Sequence, residues 1–300
     1  MLTRLQLTRK SINSKTGFDN KPSKFPLPKT SLTLNKGCDV SDLNKFPHSV
    51  VAEDLLTTKA RLVFRSGATT RNLDELCSPD TELRPNRLWE YTWTLANSHL
   101  EKGMKILDAG SPSISFLSFY LADKGYEVCS VDLEITEPRL KRAEQIHTPL
   151  IIGQENIETL PFPNNSFDRV FCICVIEHVK NDVKGIKELV RVCKKGGLIA
   201  LTTDYTKKFN PYGKAIFKNS RSYNKRQLLE RIVKSSGLKL YGKTDFDNID
   251  WNKIGDYPPT KNSRLPFIGN PPRFAKFDIT EKIVSERIYE YTPVSVFLTK

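Results

Sequence analysis

The stretch that most constrains this chain is residues 106–134, which read ILDAGSPSISFLSFYLADKGYEVCSVDLE. An apolar run ending at Asp108 is followed by a turn at Gly110, a segment with helical spacing, and a second apolar run ending at Asp132. A buried strand, a tight turn, a helix and another buried strand form the start of a parallel α/β sheet. Because ligands of such sheets bind at the carboxyl ends of the strands, both acids are predicted to face a ligand.

The same alternation of apolar strands and amphipathic helices continues along most of the chain. The predicted strands are 104–110, 126–134, 150–154, 167–179, 198–205, 238–244 and 291–300. The predicted helices are 85–100, 113–125, 137–147, 183–197 and 223–237, the last with Ser222 as its N-cap. The sequence therefore predicts an α/β fold, with a doubly wound, mostly parallel seven-stranded sheet and helices on both faces.

The ends of this pattern set the predicted domains. Residues 1–83 are predicted to form a basic, partly irregular N-terminal extension, a mobile or surface-wrapping arm in its first part. Residues 1–36 contain eight Lys or Arg and one acid, without a sustained period. Residues 84–300 are predicted to form the α/β domain, with a cap or substrate insertion at about 245–290, where Pro, Asn and aromatics interrupt the last two strands.

Neither a membrane nor an oxidising compartment is indicated by the composition. The longest apolar run, VFCICVI, is far shorter than the ~20 residues of a spanning helix. The six cysteines are scattered without a CxxC pair, so they are predicted to be mostly buried free thiols, and no metal site is predicted. A cytoplasmic location is predicted. A basic, acid-poor organelle transit peptide over 1–36 is the alternative, and the oligomeric state stays open.

The turn after the first strand excludes two common cofactor sites. A P-loop needs a Lys-Ser or Lys-Thr pair after its glycines, and this turn has none. A dinucleotide site needs further glycines so that the backbone can approach a pyrophosphate, but Pro112 and Ile114 occupy that space. A phosphate-free cofactor is therefore favoured.

S-adenosylmethionine is such a cofactor, and three features of the stretch match its chemistry. Asp108 is suited to its ammonium, and the backbone N–H groups that follow the Gly110 turn are suited to its carboxylate. Asp132 or Glu134 is suited to its two ribose hydroxyls. Pro112 is compatible with the first turn of a helix, where its missing N–H is not needed.

Three segments, ILDAGSPSIS, SVDLE and NIETLPFPNNSFDRVFCICVIEHV, resemble the class I S-adenosylmethionine-dependent methyltransferases. The resemblance covers about residues 84–205, and LPFPNNSFD at 160–168 is its most specific part. It implies a Rossmann-like fold, S-adenosyl-L-methionine as cofactor, and methyl transfer to a small or medium-sized metabolite at oxygen, nitrogen or carbon. The residues that it assigns to the cofactor are Asp108, Gly110, Ser111, Asp132, Leu133, Asn156, Ile157 and Cys174.

Glu177 and His178 follow the fourth strand of the resemblance, where the family places its methyl acceptor. They are the candidate catalytic residues, because a histidine with a pKa near ~6.5 or a carboxylate can remove a proton from the acceptor. The alternative is that this segment only shapes the wall of the pocket.

Two other functions remain open from the sequence. Residues 205–243 contain eleven Lys or Arg against Glu230, a pattern suited to a nucleic-acid methyltransferase because aromatics are interleaved among them, namely Tyr205, Phe209, Tyr212, Phe217 and Tyr223. The altered glycine turn would also suit a non-catalytic binding protein built on the same fold. A small-molecule substrate is the favoured partner.

Overall fold

The computed structural model describes residues 21–65, 85–111, 116–135, 150–214, 219–249 and 292–300. Its strands are β1 (Thr33–Lys36), β2 (Lys105–Ala109), β3 (Glu127–Asp132), β4 (Leu150–Gln154), β5 (Phe167–Ile173), β6 (Cys193–Tyr205), β7 (Lys239–Leu240), β8 (Lys243–Asp245) and β9 (Thr292–Thr299). Seven of them form one sheet in the order β4-β3-β2-β5-β6-β9-β7. All pairs from β4 to β6 are parallel, and β9 is antiparallel to both of its neighbours. The mostly parallel seven-stranded sheet is confirmed.

The chain reverses its direction of progress across the sheet between β2 and β5. The first strands run outward from β2 to β4, and the chain then returns to pair β5 with the other side of β2. Asp108 of β2 pairs in register with Ser130 of β3 and Phe171 of β5. The carboxyl ends of β2 and β5 therefore flank the topological switch point, where sheets of this kind bind ligands.

Helices cover both faces of the sheet. The helices α1 (His48–Arg65), α2 (Pro85–Asn97) and α3 (Leu117–Asp123) share one buried apolar cluster with one face. The helices α4 (Asp182–Val192) and α5 (Lys225–Leu228) share a second cluster with the other face, and α5 continues as a π-helical turn over Leu229–Lys234. The doubly wound arrangement is thus confirmed.

The described part of the N-terminal extension, residues 21–65, is packed against the sheet. β1 pairs in parallel with β8 in a separate two-stranded sheet, and Leu34 is 2% exposed in the core. The Asn35 side chain is fully buried. Its Nδ2 donates to the Tyr241 carbonyl at 2.9 Å, and its Oδ1 accepts from the Phe297 N–H at 2.7 Å. This part of the chain therefore wraps the domain as an ordered layer.

Several predicted boundaries are corrected. The N-cap of α5 is Asn224, whose side chain accepts from the Gln227 N–H, and not Ser222. α4 ends at Val192, and β6 begins at once because Cys193 pairs with Phe167 ahead of a bulge in the ladder. The predicted strand 238–244 is split into β7 and β8. The helix predicted over 137–147, most of the 245–290 insertion and the domain boundary at 83/84 lie outside the described residues.

The described residues carry no helix that combines the length and the apolar character needed to cross a bilayer. The five cysteines among them are unpaired thiols, and Cys129, Cys172 and Cys193 are buried, as predicted. Cys77 lies outside the described residues.

Candidate active site

The turn after β2 brings the backbone close to the end of β5. Gly110 has a φ of +80°, and its N–H donates to the Val131 carbonyl at 2.8 Å. A Cβ added at Gly110 would lie 2.2 Å from a methyl carbon of Val175. Both the left-handed backbone and the close approach require glycine here. The turn that the sequence singled out is therefore held at the switch point itself.

Asp108 lies beside this turn within a group of buried hydroxyls. The carboxylate is 3% exposed and accepts a hydrogen bond from the Ser118 hydroxyl of α3. Ser118 Oγ is also 3.0 Å from both Ser111 Oγ and Ser130 Oγ. The N–H of Ser111 donates to the Val131 carbonyl at 2.9 Å. Asp108 and Ser111 thus lie together in a buried cluster of hydrogen-bonded polar groups.

Asp132 ends the neighbouring strand at the same edge of the sheet. Its Oδ1 accepts from the Glu134 N–H at 3.0 Å, which fixes the turn after β3. Leu133, the next residue, is 67% exposed.

Asn156 and Ile157 lie beyond β4 in a short 3₁₀ turn, Ile157–Thr159. Asn156 is the N-cap of this turn, and its Oδ1 accepts from the Glu158 N–H at 2.8 Å. One lone pair of that oxygen is therefore already used in holding the turn. Ile157 is buried, 5% exposed. Contacts of both residues with a cofactor stay a prediction.

Cys174 directly follows β5 and has a strained backbone for a non-glycine residue, with a φ of 55°. Its N–H donates to both the carbonyl and the hydroxyl of Thr202, each at 3.0 Å. Burial raises the pKa of the Cys174 thiol well above its usual value, although the Arg87 guanidinium acts in the opposite direction. The thiol is therefore neutral and is not a reactive thiolate.

A cluster of buried acids lies beside Cys174. Glu90 of α2, Glu177 after β5 and Asp204 at the end of β6 are 1%, 0% and 5% exposed. Arg87 Nη1 pairs with Glu90 Oε2 at 2.9 Å, and the Thr202 hydroxyl donates to Glu90 Oε1 at 2.6 Å.

The surroundings of this cluster raise the pKa values of two of its carboxyl groups, those of Asp204 and Glu90. Burial, followed by the charges of Glu177 and Glu90, raises the pKa of Asp204 well above its usual value. Burial also raises the pKa of Glu90, with Arg87 opposing the shift. Glu90 and Asp204 thus retain their protons more readily than they would in water.

Glu177 and His178 have different surroundings, although they are adjacent in sequence and share one 3₁₀ turn, Ile176–His178. Glu177 is fully buried, and its Oε2 accepts from the Thr203 hydroxyl at 3.0 Å. Its Oε1 is buried without a hydrogen-bond partner among the described residues. His178 is exposed at the surface.

Sequence reasoning missed the contribution of α2. Arg87 and Glu90 lie three residues apart on one helix face, and the helix carries both into the site. The signal was a charged pair on a helix that also contains Trp89 and Trp93. That signal does not reveal whether the pair faces water or a pocket.

Comparisons with known proteins bear on what this site does. A family model described as "Methyltransferase domain" matches residues 107–201. A ubiquinone/menaquinone biosynthesis C-methyltransferase of Neisseria meningitidis is 27% identical over 233 residues, 70% of this chain and 92% of that protein. The same enzyme of Cronobacter sakazakii is 27% identical over 186 residues, 59% of this chain and 71% of its own length.

Two solved structures share the fold. The [4+2]-cyclase SpnF aligns with a TM-score of 0.52 at 13% identity, over 72% of this chain and 81% of its own. The MccD protein aligns with a TM-score of 0.51 at 14% identity, over 73% of this chain and 100% of its own.

The methyltransferase domain at residues 107–201, the methyltransferase relatives and the shared fold support a class I S-adenosylmethionine-dependent methyltransferase. It is an enzyme of methyl transfer, with S-adenosyl-L-methionine as its cofactor. Asp108 and Asp132 lie in the adjacent strands β2 and β3, and the Gly110 turn packs against Val175. The assignment of these residues to the cofactor stays a prediction.

Proposed function

We propose that this enzyme methylates a small molecule whose acceptor atom lies between the end of β5 and the end of β6. The supporting observation is the buried cluster of Glu90, Glu177 and Asp204, at the same edge of the sheet as Asp108 and Asp132. The acids assigned to the cofactor and those assigned to the methyl acceptor therefore lie at the same edge of the sheet. The relatives are enzymes, which favours this function over a non-catalytic binding protein.

The cofactor side is supplied by β2, β3 and the turns that follow them. When bound, S-adenosylmethionine supplies a methyl group on a positively charged sulfur. We assign Asp108 to its ammonium and Asp132 to its ribose hydroxyls. The backbone around Gly110 and Ser111 is assigned as the part of the chain that the cofactor approaches most closely. The exposed side chain of Leu133 offers an apolar surface next to Asp132 for the adenine.

On the acceptor side, Glu177 is a better candidate base than His178. The Oε1 atom of Glu177 is buried and has no hydrogen-bond partner among the described residues. A hydrogen-bond donor on the methyl-accepting substrate would therefore give this atom a partner. An acceptor that carries an O–H or N–H would pass its proton to that oxygen as it reacts. His178, being exposed, is assigned no step.

The relatives named above are C-methyltransferases of ubiquinone and menaquinone biosynthesis. Acceptors of that pathway are therefore reference compounds for a first activity assay. Carbon, oxygen and nitrogen acceptors are all compatible with a buried carboxylate as base, so the product must be identified by mass spectrometry.

The test of this proposal is a matched pair of variants on one strand. Asp132→Ala removes the acid at the carboxyl end of β3, whereas Glu127→Ala removes an exposed acid at the opposite end of the same strand. We expect Asp132→Ala to weaken S-adenosylmethionine binding by about tenfold or more in calorimetry, because it removes charge-assisted hydrogen bonds. Glu127→Ala should leave the affinity unchanged. Equal affinities in both variants would refute the assignment of Asp132.

The nucleic-acid alternative loses part of its support. Tyr205 and Tyr223, two of the aromatics in the basic segment, are 5% and 0% exposed, so they cannot stack on bases. Tyr212 lies against Arg221, whose guanidinium carbon is 5.2 Å from the ring centroid. Phe217 lies outside the described residues. The cytoplasmic location and the transit peptide over 1–36 stay predictions.

A further inference from the structure

The buried acid cluster places three carboxyl groups beside one guanidinium. Glu90, Glu177 and Asp204 come from three different elements and are each at most 5% exposed. Arg87 pairs directly with Glu90 at 2.9 Å. Buried charges are stable only when they are paired or protonated, so the cluster is suited to a second positive group.

Glu177 shows where that group would bind. Its side chain is fully buried, and Oε2 is occupied by the Thr203 hydroxyl, while Oε1 has no partner among the described residues. A buried acceptor without a donor costs about 1–3 kcal/mol, and more when it is charged. A ligand that brings an N–H donor to Oε1 would recover this free energy.

The spacing of the acceptors fits an ammonium group. A carboxylate oxygen of Glu177, one of Asp204 and the Cys174 sulfur all lie within 4.8 Å of one another. A tetrahedral ammonium with hydrogen bonds of ~2.8 Å holds its acceptors ~4.6 Å apart.

We propose that Glu177 and Asp204, with Cys174, bind the ammonium group of a small organic amine, which is the enzyme's substrate. This inference rests on the proposed function, because it takes the cluster to be the acceptor side of the site. It narrows the acceptor from any small metabolite to a molecule that carries a protonated amine. In this arrangement the amine pairs with Glu177 and Asp204, while Arg87 pairs with Glu90.

The experiment uses the full chain saturated with S-adenosylhomocysteine, whose own affinity is measured first. Calorimetry at pH 7 then compares butylamine, hexylamine and phenethylamine with the alcohols of the same carbon skeletons. We expect at least one amine to bind tenfold or more tightly than its alcohol. Glu177→Gln and Asp204→Asn, which keep the shape of the side chains, should each remove this preference and leave S-adenosylhomocysteine binding unchanged. Glu230→Gln is the control, since Glu230 pairs with Arg226 on an exposed face of the helix.

Three results would overturn the inference. In the first, the amines and the alcohols bind with equal affinity throughout the panel. In the second, both acid variants weaken the binding of S-adenosylhomocysteine as much as they weaken the binding of the amine. In the second case the cluster serves the cofactor. The third result is stoichiometric binding of Mn²⁺ that both variants abolish, which would make the cluster a metal site. A failure of the proposed function is distinguishable, because it appears as absent cofactor affinity in the unaltered protein before any amine is added.

Discussion

At the scale of single residues, the site depends on two positions whose role comes from their surroundings. Gly110 is needed because Val175 occupies the space of any side chain there, and Asp204 is unusual because other acids surround it. The sequence predicted Gly110 from the turn pattern. It could not predict that Val175 packs against Gly110, because 65 positions separate the two residues in the chain.

We expect Gly110→Ala to destabilise the fold by about 2–5 kcal/mol, combining left-handed strain with a steric overlap at Val175. Gly103→Ala is a matched control, because Gly103 has a φ of +82° but nothing within 4 Å of its added Cβ. The Gly103→Ala variant should show only the loss of stability that comes from backbone strain. Urea unfolding of both variants measures the difference. The double variant Gly110→Ala with Val175→Ala should recover part of the steric cost, because the two methyl carbons at 2.2 and 2.7 Å are removed while the Val175 Cβ at 2.9 Å remains. No recovery would show that the overlap is not the cause.

Asp204 should make the stability of the fold fall as the pH rises. Its folded pKa is raised by burial and by Glu177 and Glu90, against the opposing charge of Arg87, with Cys174 as a neutral neighbour. Between the unfolded value of ~3.9 and the folded value, the folded state binds more protons, so stability is lost as pH increases through that window.

Asp204→Asn should therefore gain stability relative to the unaltered protein between pH 5 and pH 8, by about 1.4 kcal/mol per unit of raised pKa. The difference should shrink as the pH falls through ~3.9, below which Asp204 binds the proton in both the folded and the unfolded state. Urea unfolding across this pH range measures it. Stability curves that stay parallel from pH 4 to pH 8 would show that Asp204 is ionised in the folded protein like an ordinary surface acid.

At the scale of elements, the N-terminal segment is part of the domain. β1 joins β8, and the Trp93 indole N–H of α2 donates to the Leu34 carbonyl at 3.0 Å. The Ser295 hydroxyl of β9 donates to the same carbonyl at 2.6 Å. The sequence predicted an arm here because the composition is polar and basic. Strand pairing and a few buried side chains outweighed that composition, which is a tertiary effect.

Asn35→Ala should destabilise the protein by about 2–5 kcal/mol, because it leaves the buried Phe297 N–H and Tyr241 carbonyl without this partner. Asn248→Ala is the control, since Asn248 is exposed and its side chain bonds to Asp245. That change should stay within about 0.5 kcal/mol. Denaturant unfolding compares the two. Equal midpoints would mean that β1 is attached only loosely to the sheet.

At the scale of the whole molecule, a net charge of +13 invites association with polyanions. The aromatics that would turn such attraction into specific recognition are partly in the core, as Tyr205 and Tyr223 show. The charge is therefore expected to produce nonspecific, screened attraction.

We expect a fluorescent 20-nucleotide RNA to bind weakly at 50 mM salt and to lose most of its affinity by 200 mM salt. Counterion release, without stacking, gives this steep dependence. Fluorescence anisotropy across the salt series measures it. Tight binding that persists at 200 mM salt would instead favour the nucleic-acid methyltransferase.

The sequence by itself determined the α/β class, the phosphate-free cofactor and the two acids at the strand ends. These follow from local rules, namely strand and helix periodicity and the residues of one turn. The tertiary structure alone decided that Glu90 and Arg87 join Glu177 and Asp204 in one buried cluster. It also decided that Glu177 is buried and His178 exposed, and that the N-terminal segment forms an ordered layer. Those features depend on which faces of distant elements meet, and no local pattern encodes burial between segments more than a hundred residues apart.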